Sequence, residues 1–209
     1  LSSMEEGKSF PEALKESQEK GFAEKDPSAD IEGYDLVRKA SILLSVLSGK
    51  KVDQGKILRY PISPITKEVM EDLKKDGLVL KYLTDIQCCK KKARVYVMPT
   101  ALDKENPLSN IRQETNAVCF HNDRSSDIVL SSKGAGKYPT ANSMLQDYQR
   151  VKKGCVYPLE VHGEAEILSE PEGTFFCYRN GKKEILVDPE KEQLDGYDLV
   201  IRRLKGNGK

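Results

Sequence analysis

An α+β fold is predicted, with a mixed, mainly antiparallel sheet, helices packed on one face of it, and a small β-rich C-terminal extension. Three observations predict it. Helical patterns fill the first 76 residues, and strand patterns then follow one another instead of alternating with helices. Leu36, Val37, Ala40, Leu43, Leu44 and Leu47 recur at helical spacing. Residues 78–84 and 93–98 are rich in β-branched and aromatic side chains.

The elements follow in order. Ser9-Phe10-Pro11-Glu12 is a capping box with proline in the first turn, so a helix is expected to run to about Lys20 and stop at Gly21. A polar loop, 24–32, holds Asp26-Pro27. The second helix is expected from about Gly33 to Ser48, ended by Gly49. Residues 50–64, with Pro61 and Pro64, read as a loop, and 66–76 as a short charged helix stopped by Gly77. Strands are then expected at 78–84 and 93–98, joined by a basic turn at Lys90-Lys91-Lys92, and at 115–120 and 127–131 as a second antiparallel pair. The glycine loop Lys133-Gly134-Ala135-Gly136-Lys137 leads to Thr140, the expected N-cap of a helix ending near Val151.

Beyond Lys152 come short strand candidates at 156–159, 174–178, 184–187 and 198–202, set apart by glycine and proline turns; Pro158 confines the first to an edge. The division expected is therefore 1–151 and 152–209. Strands such as 93–98 have no obvious cover from the helices of one chain, so a second copy is expected to supply it.

Composition narrows the function. With 34 basic and 33 acidic residues, the net charge of +1 gives no reason to expect a nucleic-acid partner. No apolar stretch approaches the ~18 residues of a membrane span, so no membrane partner is expected. The five cysteines are odd in number, include the adjacent Cys88 and Cys89, and form no CxxC. With only His121 and His162 beside them, neither a disulfide framework, a metal site nor a Ser-His-Asp triad is expected. Reduced thiols and the lack of a signal peptide point to the cytoplasm. The chain opens on Leu1, not methionine, and so reads as a piece of something longer.

Two stretches could carry chemistry. Asp35 and Lys39 are four apart and share a helix face, while Glu24 and Asp30 lie on the loop feeding that helix. Three carboxylates and one ammonium can thus converge at a helix N-terminus. Such a cluster can bind a substrate ammonium group and place a lysine for proton transfer. Plainer readings stay open: an i,i+4 pair worth about 0.3–0.5 kcal/mol, a capping Asp30, a solvated Glu24. In the second stretch, Gly134, Ala135 and Gly136 allow close backbone approach to a ligand before a helix N-terminus that favours anions. A tight strand-to-helix turn accounts for those glycines as well.

Taken together and in order, EGKSF, GFAEKDPSADIEGYDLVRK (residues 21–39), NPLSNIRQETNAV and KGAGKYPTA resemble the catalytic domain of homoserine dehydrogenase, over residues 1–151. The resemblance implies the substrate-binding and dimerisation part of an NAD(P)-dependent enzyme that interconverts L-homoserine and L-aspartate 4-semialdehyde. Lys39 matches the family's proton-donating lysine. Asp35 and Glu24 match residues that hold the amino-acid substrate, and Asp30 an acidic residue of the same pocket. Gly21, Glu24 and the loop of Gly134, Ala135 and Gly136 match positions near the nicotinamide end of the cofactor. A homodimer is implied as well.

There are departures. No GxGxxG occurs in the 209 residues, so the resemblance implies that the family's N-terminal nucleotide-binding domain, which binds most of the cofactor, is missing here. Its second lysine and the hinge with a monovalent-cation site would be missing with it. Ser132 stands where the family often has a glycine, and the tail from Lys152 matches nothing and is too short for a complete regulatory domain. A non-catalytic binding or dimerisation module built on the same fold is the alternative reading.

Overall fold

The structure, a computed structural model, describes residues 1–89, 92–113, 115–121, 124, 126–134, 136–155 and 160–205, with the backbone alone at Cys89. The chain opens with one turn, α1 (Ser2–Glu5), and then α2 (Phe10–Glu19). The capping box holds α2 as expected: the Ser9 amide donates to Glu12 Oε2 at 2.7 Å, and the Glu12 amide to Ser9 Oγ at 3.4 Å. A further single turn, α3 (Ser28–Ile31), lies inside the expected loop, and α4 (Tyr34–Ser48) runs between Gly33 and Gly49, both left-handed. A 3₁₀ turn (Gln54–Lys56), the two-residue strand β1 (Leu58–Arg59) and helix α5 (Lys67–Lys75) complete the helical part. Thr66 caps α5, its Oγ1 accepting from the Val69 amide at 3.4 Å.

Strands β2 (Leu78–Cys89) and β3 (Lys92–Asp103) are twelve residues each, longer than expected, and pair antiparallel along their whole length. A 3₁₀ turn (Pro107–Asn110) leads to β4 (Thr115–Phe120) and β5 (Ile128–Lys133), a separate two-stranded sheet. Helix α6 (Lys137–Lys152) starts three residues before the expected Thr140 cap. Gly136 takes the cap position instead, because Pro139 needs no amide partner and fits the first turn.

The C-terminal part contributes β6 (Glu166–Ile167), β7 (Thr174–Arg179), β8 (Lys182–Val187), one turn α7 (Lys191–Leu194) and β9 (Leu199–Leu204). Asn180 and Gly181, with φ of 50° and 72°, make the two-residue turn between β7 and β8. The expected strand at 156–159 lies outside the described residues.

One seven-stranded sheet takes strands from both parts of the chain. β2 occupies one edge of β3. The other edge is shared, in parallel, by β6 at Lys92 and Ala93, β1 at Tyr96 and Val97, and β9 from Thr100 to Leu102. Pro99 falls between the β1 and β9 pairings, where its missing N–H leaves no ladder bond unmade. β9 lies between β3 and β7, so the β-rich extension expected beyond residue 151 joins the main sheet. Its Leu199-Val200-Ile201 run is apolar on both faces, as an interior strand requires. Arg202 on β9 is 4% exposed, pairs with Asp85 on β2 and stacks 4.0 Å from the centre of the Tyr96 ring.

Helices cover one face. Val37, Ala40 and Leu44 of α4 pack on Ala93, Val95 and Val97. Ala13 of α2 and Val69, Met70 and Leu73 of α5 pack on Leu80, Ala101 and Ile201. On the opposite face Leu194 of α7 packs among Tyr96, Met98, Phe175, Cys177 and Val200. Ala93 and Val95 to Met98 are therefore buried within one chain, and the expectation that this strand needs a second copy for cover is corrected. Exposed apolar side chains lie elsewhere, among them Val118, Phe120, Ile128 and Leu130 of the β4–β5 hairpin, Met144, Leu145, Tyr148 and Val151 of α6, and Ile42, Val46 and Leu47 of α4.

Candidate functional site

The chain from Gly21 to Lys39 runs through a loop and the single turn α3 into the first turns of α4. Gly21, at φ 73°, ends α2. The Gln18 side-chain amide donates to the carbonyls of Glu24 and Lys25 at 3.0 and 3.3 Å. Asp26 accepts from the Ser28 hydroxyl at 2.5 Å and the Ser28 amide at 3.1 Å, which shapes the Asp-Pro-Ser turn and holds the Asp26 carboxyl below its usual range. α3 follows, and Gly33, at φ 82°, turns the chain into α4.

Gly33 is buried because Tyr82 of β2 lies against it. A Cβ there would sit 2.1 Å from the Tyr82 hydroxyl. That hydroxyl donates to the Tyr60 carbonyl at 3.1 Å, and burial pushes its pKa upward, keeping it a donor. Asp35 then falls in the first turn of α4, half-buried, and Lys39 Nζ lies 2.7 Å from its Oδ2 with the lysine side chain 64% exposed. One helix face thus offers an accessible ammonium held by a carboxylate. It can deliver a proton to, or take one from, a ligand seated over the start of α4.

Of the predicted site residues, the structure brings Asp35 and Lys39 into contact. Glu24 and Asp30 sit on the preceding loop and turn, both exposed, and among the described residues neither carboxylate has a partner. Gly134 and Gly136 lie at the far end of the hairpin and are exposed. No hydrogen bond among the described residues joins them to the α4 cluster. A Cβ on Gly134 would fall 1.8 Å from the exposed Asn116 side chain, which would have to turn aside to admit it. Gly136, at φ 115°, is required by its backbone. Ala135 lies outside the described residues. Among those residues no group of three or more acidic, histidine or cysteine side chains could hold a metal, and no helix is long and apolar enough to cross a membrane.

Residue-by-residue reading of the sequence missed Arg59, Tyr34 and Tyr82. Arg59 Nη1 donates to the Glu32 carbonyl at 2.5 Å, and its guanidinium carbon lies 4.2 Å from the centre of the Tyr34 ring. No local signal marks Arg59, which sits in a stretch that reads as loop. Tyr82 is one β-strand aromatic among several.

Three comparisons bear on this geometry. The family model described as homoserine dehydrogenase matches residues 1–148. The homoserine dehydrogenase of Bacillus subtilis is 37% identical over 144 residues, covering 69% of this chain and 33% of that protein. The NAD(+)-dependent homoserine dehydrogenase of Pseudomonas canavaninivorans is 32% identical over 148 residues, covering 70% and 42%. The crystal structure of a Thiobacillus denitrificans homoserine dehydrogenase superposes with a TM-score of 0.77 at 20% identity, covering 97% of this chain and 60% of that one. This likeness shows a shared fold that includes the C-terminal strands. The chain spans between a third and a half of the length of these curated relatives.

Proposed function

The chain belongs to the homoserine dehydrogenase family, and from that premise we propose that it is the substrate-binding part of an NAD(P)-dependent oxidoreductase. The complete enzyme interconverts L-homoserine and L-aspartate 4-semialdehyde, in the supply of threonine and methionine. The observation that carries this reading is the 2.7 Å pair of Lys39 and Asp35 on the open face of α4.

In this reading Glu24, Asp30 and Asp35 accept hydrogen bonds from the substrate's α-ammonium group. Two of these carboxylates have no partner of their own among the described residues, which suits them to an incoming cation. Lys39 gives a proton to the semialdehyde oxygen as negative charge develops there, and recovers it when homoserine is oxidised. Asp35 keeps the lysine aimed.

The nicotinamide, when bound, supplies the hydride. The residues present fit one end of such a cofactor. Gly21 has nothing within 4 Å of where a Cβ would stand, and it and Gly136 offer bare, exposed backbone for a ring to approach. Ala135, between Gly134 and Gly136, belongs to the same proposed contact. No glycine-rich dinucleotide motif occurs in the 209 residues, so the main cofactor-binding surface is assigned to a domain outside them.

A homodimer is part of the proposal, now supported by the hairpin and α6 surfaces rather than by β3. So is a cytoplasmic site of action, supported by Cys88, Cys119, Cys155 and Cys177 all being unpaired. The direct test is a nuclear magnetic resonance titration of the 209-residue chain with L-homoserine. Shift changes centred on residues 22–39 are expected. Changes confined to another surface, or none up to saturating homoserine, would remove the reading.

A further inference from the structure

Helix α4 carries the proposed acid–base pair in its first two turns, yet its start is not capped by a side chain. Gly33 holds the cap position and has none to offer. An uncapped first turn frays readily, and Asp35 would fray with it. Something outside the helix must hold this turn, and the structure shows what does.

The five residues from Arg59 to Ser63 grip the chain from Ile31 to Tyr34. The Arg59 guanidinium donates to the Glu32 carbonyl and lies over the Tyr34 ring, with Nη2 3.3 Å from the Tyr34 hydroxyl. The Ile62 amide donates to the Ile31 carbonyl at 3.0 Å, and the Ser63 hydroxyl to Glu32 Oε1 at 3.0 Å. The grip is itself held from behind. The Tyr60 amide donates to the Val97 carbonyl at 2.9 Å, its carbonyl accepts from Tyr82, and its hydroxyl donates to Asp195 Oδ1 at 3.1 Å. Asp195 follows α7, so the last link in this series comes from the C-terminal part of the chain.

We propose that Arg59 and Tyr60 are positioning residues for Asp35 and Lys39, and that the C-terminal segment supports them through Asp195. This rests on the reading of α4 as the substrate site. Arg59 is suited to the task because one planar guanidinium can stack on an aromatic ring while its edge donates to a carbonyl. A lysine can do one or the other. The segment beyond residue 151, for which the sequence offered no role, thereby acquires one: it fixes the loop that fixes the turn before the acid–base pair.

The test uses the 209-residue chain and two variants, Arg59→Ala and Arg59→Lys. The amides of Val37, which donates to the Gly33 carbonyl, and Ile62 report on the grip. Those of β3 report on the fold as a whole. In both variants hydrogen exchange at Val37 and Ile62 is expected to rise tenfold or more, with β3 unchanged. The Asp35 Cα shift should move toward its unstructured value, and L-homoserine should bind about tenfold more weakly. Unchanged exchange at Val37, or an equal rise in β3, would overturn the proposal. So would local loosening that leaves the Asp35 shift and homoserine binding as they were. If the unaltered chain binds no homoserine, the functional reading falls, and exchange with the Asp35 shift still decides the grip. Asp195→Ala should give the same pattern at lower amplitude; no change at Val37 would remove the C-terminal segment from it.

Discussion

Replacing Gly33 by alanine should be among the most damaging single-methyl additions available in this chain. Two costs combine. At φ 82° an L-residue occupies a left-handed conformation, which costs roughly 1–2 kcal/mol relative to glycine. The new Cβ also meets the Tyr82 hydroxyl at 2.1 Å, its ring carbon Cζ at 3.0 Å and Val97 Cγ1 at 3.1 Å. Tyr82 must swing away, which breaks its bond to the Tyr60 carbonyl and disturbs packing on β3, adding about 2–3 kcal/mol. The sum, ~3–5 kcal/mol, is a large part of the 5–15 kcal/mol typical of a folded domain. At roughly 2–4 °C per kcal/mol for a chain of this size, the melting temperature should fall by about 6–20 °C. Urea unfolding followed by circular dichroism measures the loss of free energy, and a thermal melt the fall in melting temperature. Tyr82→Phe in the same chain removes the 2.1 Å collision and leaves the two softer ones, so the double variant should recover part of the loss. A loss below about 1 kcal/mol for Gly33→Ala, or no recovery in the double variant, would refute the account of why glycine stands there.

Other outcomes follow from the same geometry. In the complete enzyme, Lys39→Ala should lower kcat by roughly 10²–10⁴-fold with the fold intact, whereas a mere surface pair with Asp35 would cost at most about 0.5 kcal/mol of stability and leave kcat unchanged; steady-state kinetics and a thermal melt separate the two. The 209-residue chain alone should show no homoserine oxidation with NAD or NADP, and turnover near a typical ~10 per second would contradict the assignment of the cofactor surface elsewhere. Light scattering at tens of micromolar should give a dimer mass, and Phe120→Lys with Leu130→Glu on the hairpin should give a monomer. The Glu16 carboxyl, held by Lys20, Lys8 and Ser3, is depressed from 4.5 to about 2, so its contribution is present above about pH 4.5 and lost as pH falls toward 2. The stability gap between the natural chain and Glu16→Gln should therefore close over that window, and a gap that widens on acidification would reverse the sign of this argument.

Local rules were legible in the sequence where local contacts decide the outcome. Ser9 and Glu12 cap one another three residues apart, and α2 begins where they say. Gly33, Gly49 and Gly77 punctuate because their backbones are left-handed, which no neighbour can change. Asp35 and Lys39 meet because a helix brings fourth neighbours together. Elsewhere long-range contacts overrule the local signal. The strand expected at 93–98 runs on to Asp103, and Pro99 is accommodated within it because it falls at a change of partner on the sheet edge. Thr140 lost the cap to Gly136. Arg59 meets Glu32 and Tyr34 across 25 to 27 residues, a distance at which spacing carries no information. Spacing puts Glu24 and Asp30 on the loop feeding α4, but their roles as substrate ligands came from resemblance, and their contacts in the structure do not add to it.

The position of β9 bears on what counts as a folding unit here. The family model ends at residue 148, but Thr100 to Leu102 of the central strand find their second neighbour only at Arg202 to Leu204, a hundred residues later. A chain stopped at residue 148 would bare the inner edge of β3 and the apolar flank of Ala101 and Leu102, an invitation to pairing between molecules. Closing so long a loop in parallel register is slow, and β2–β3, complete in itself, is expected to form first and wait. The portion that the family model matches is thus smaller than the portion that folds as one sheet. Refolding followed by pulsed hydrogen exchange should show protection of Leu80 and Val95 before that of Ile201.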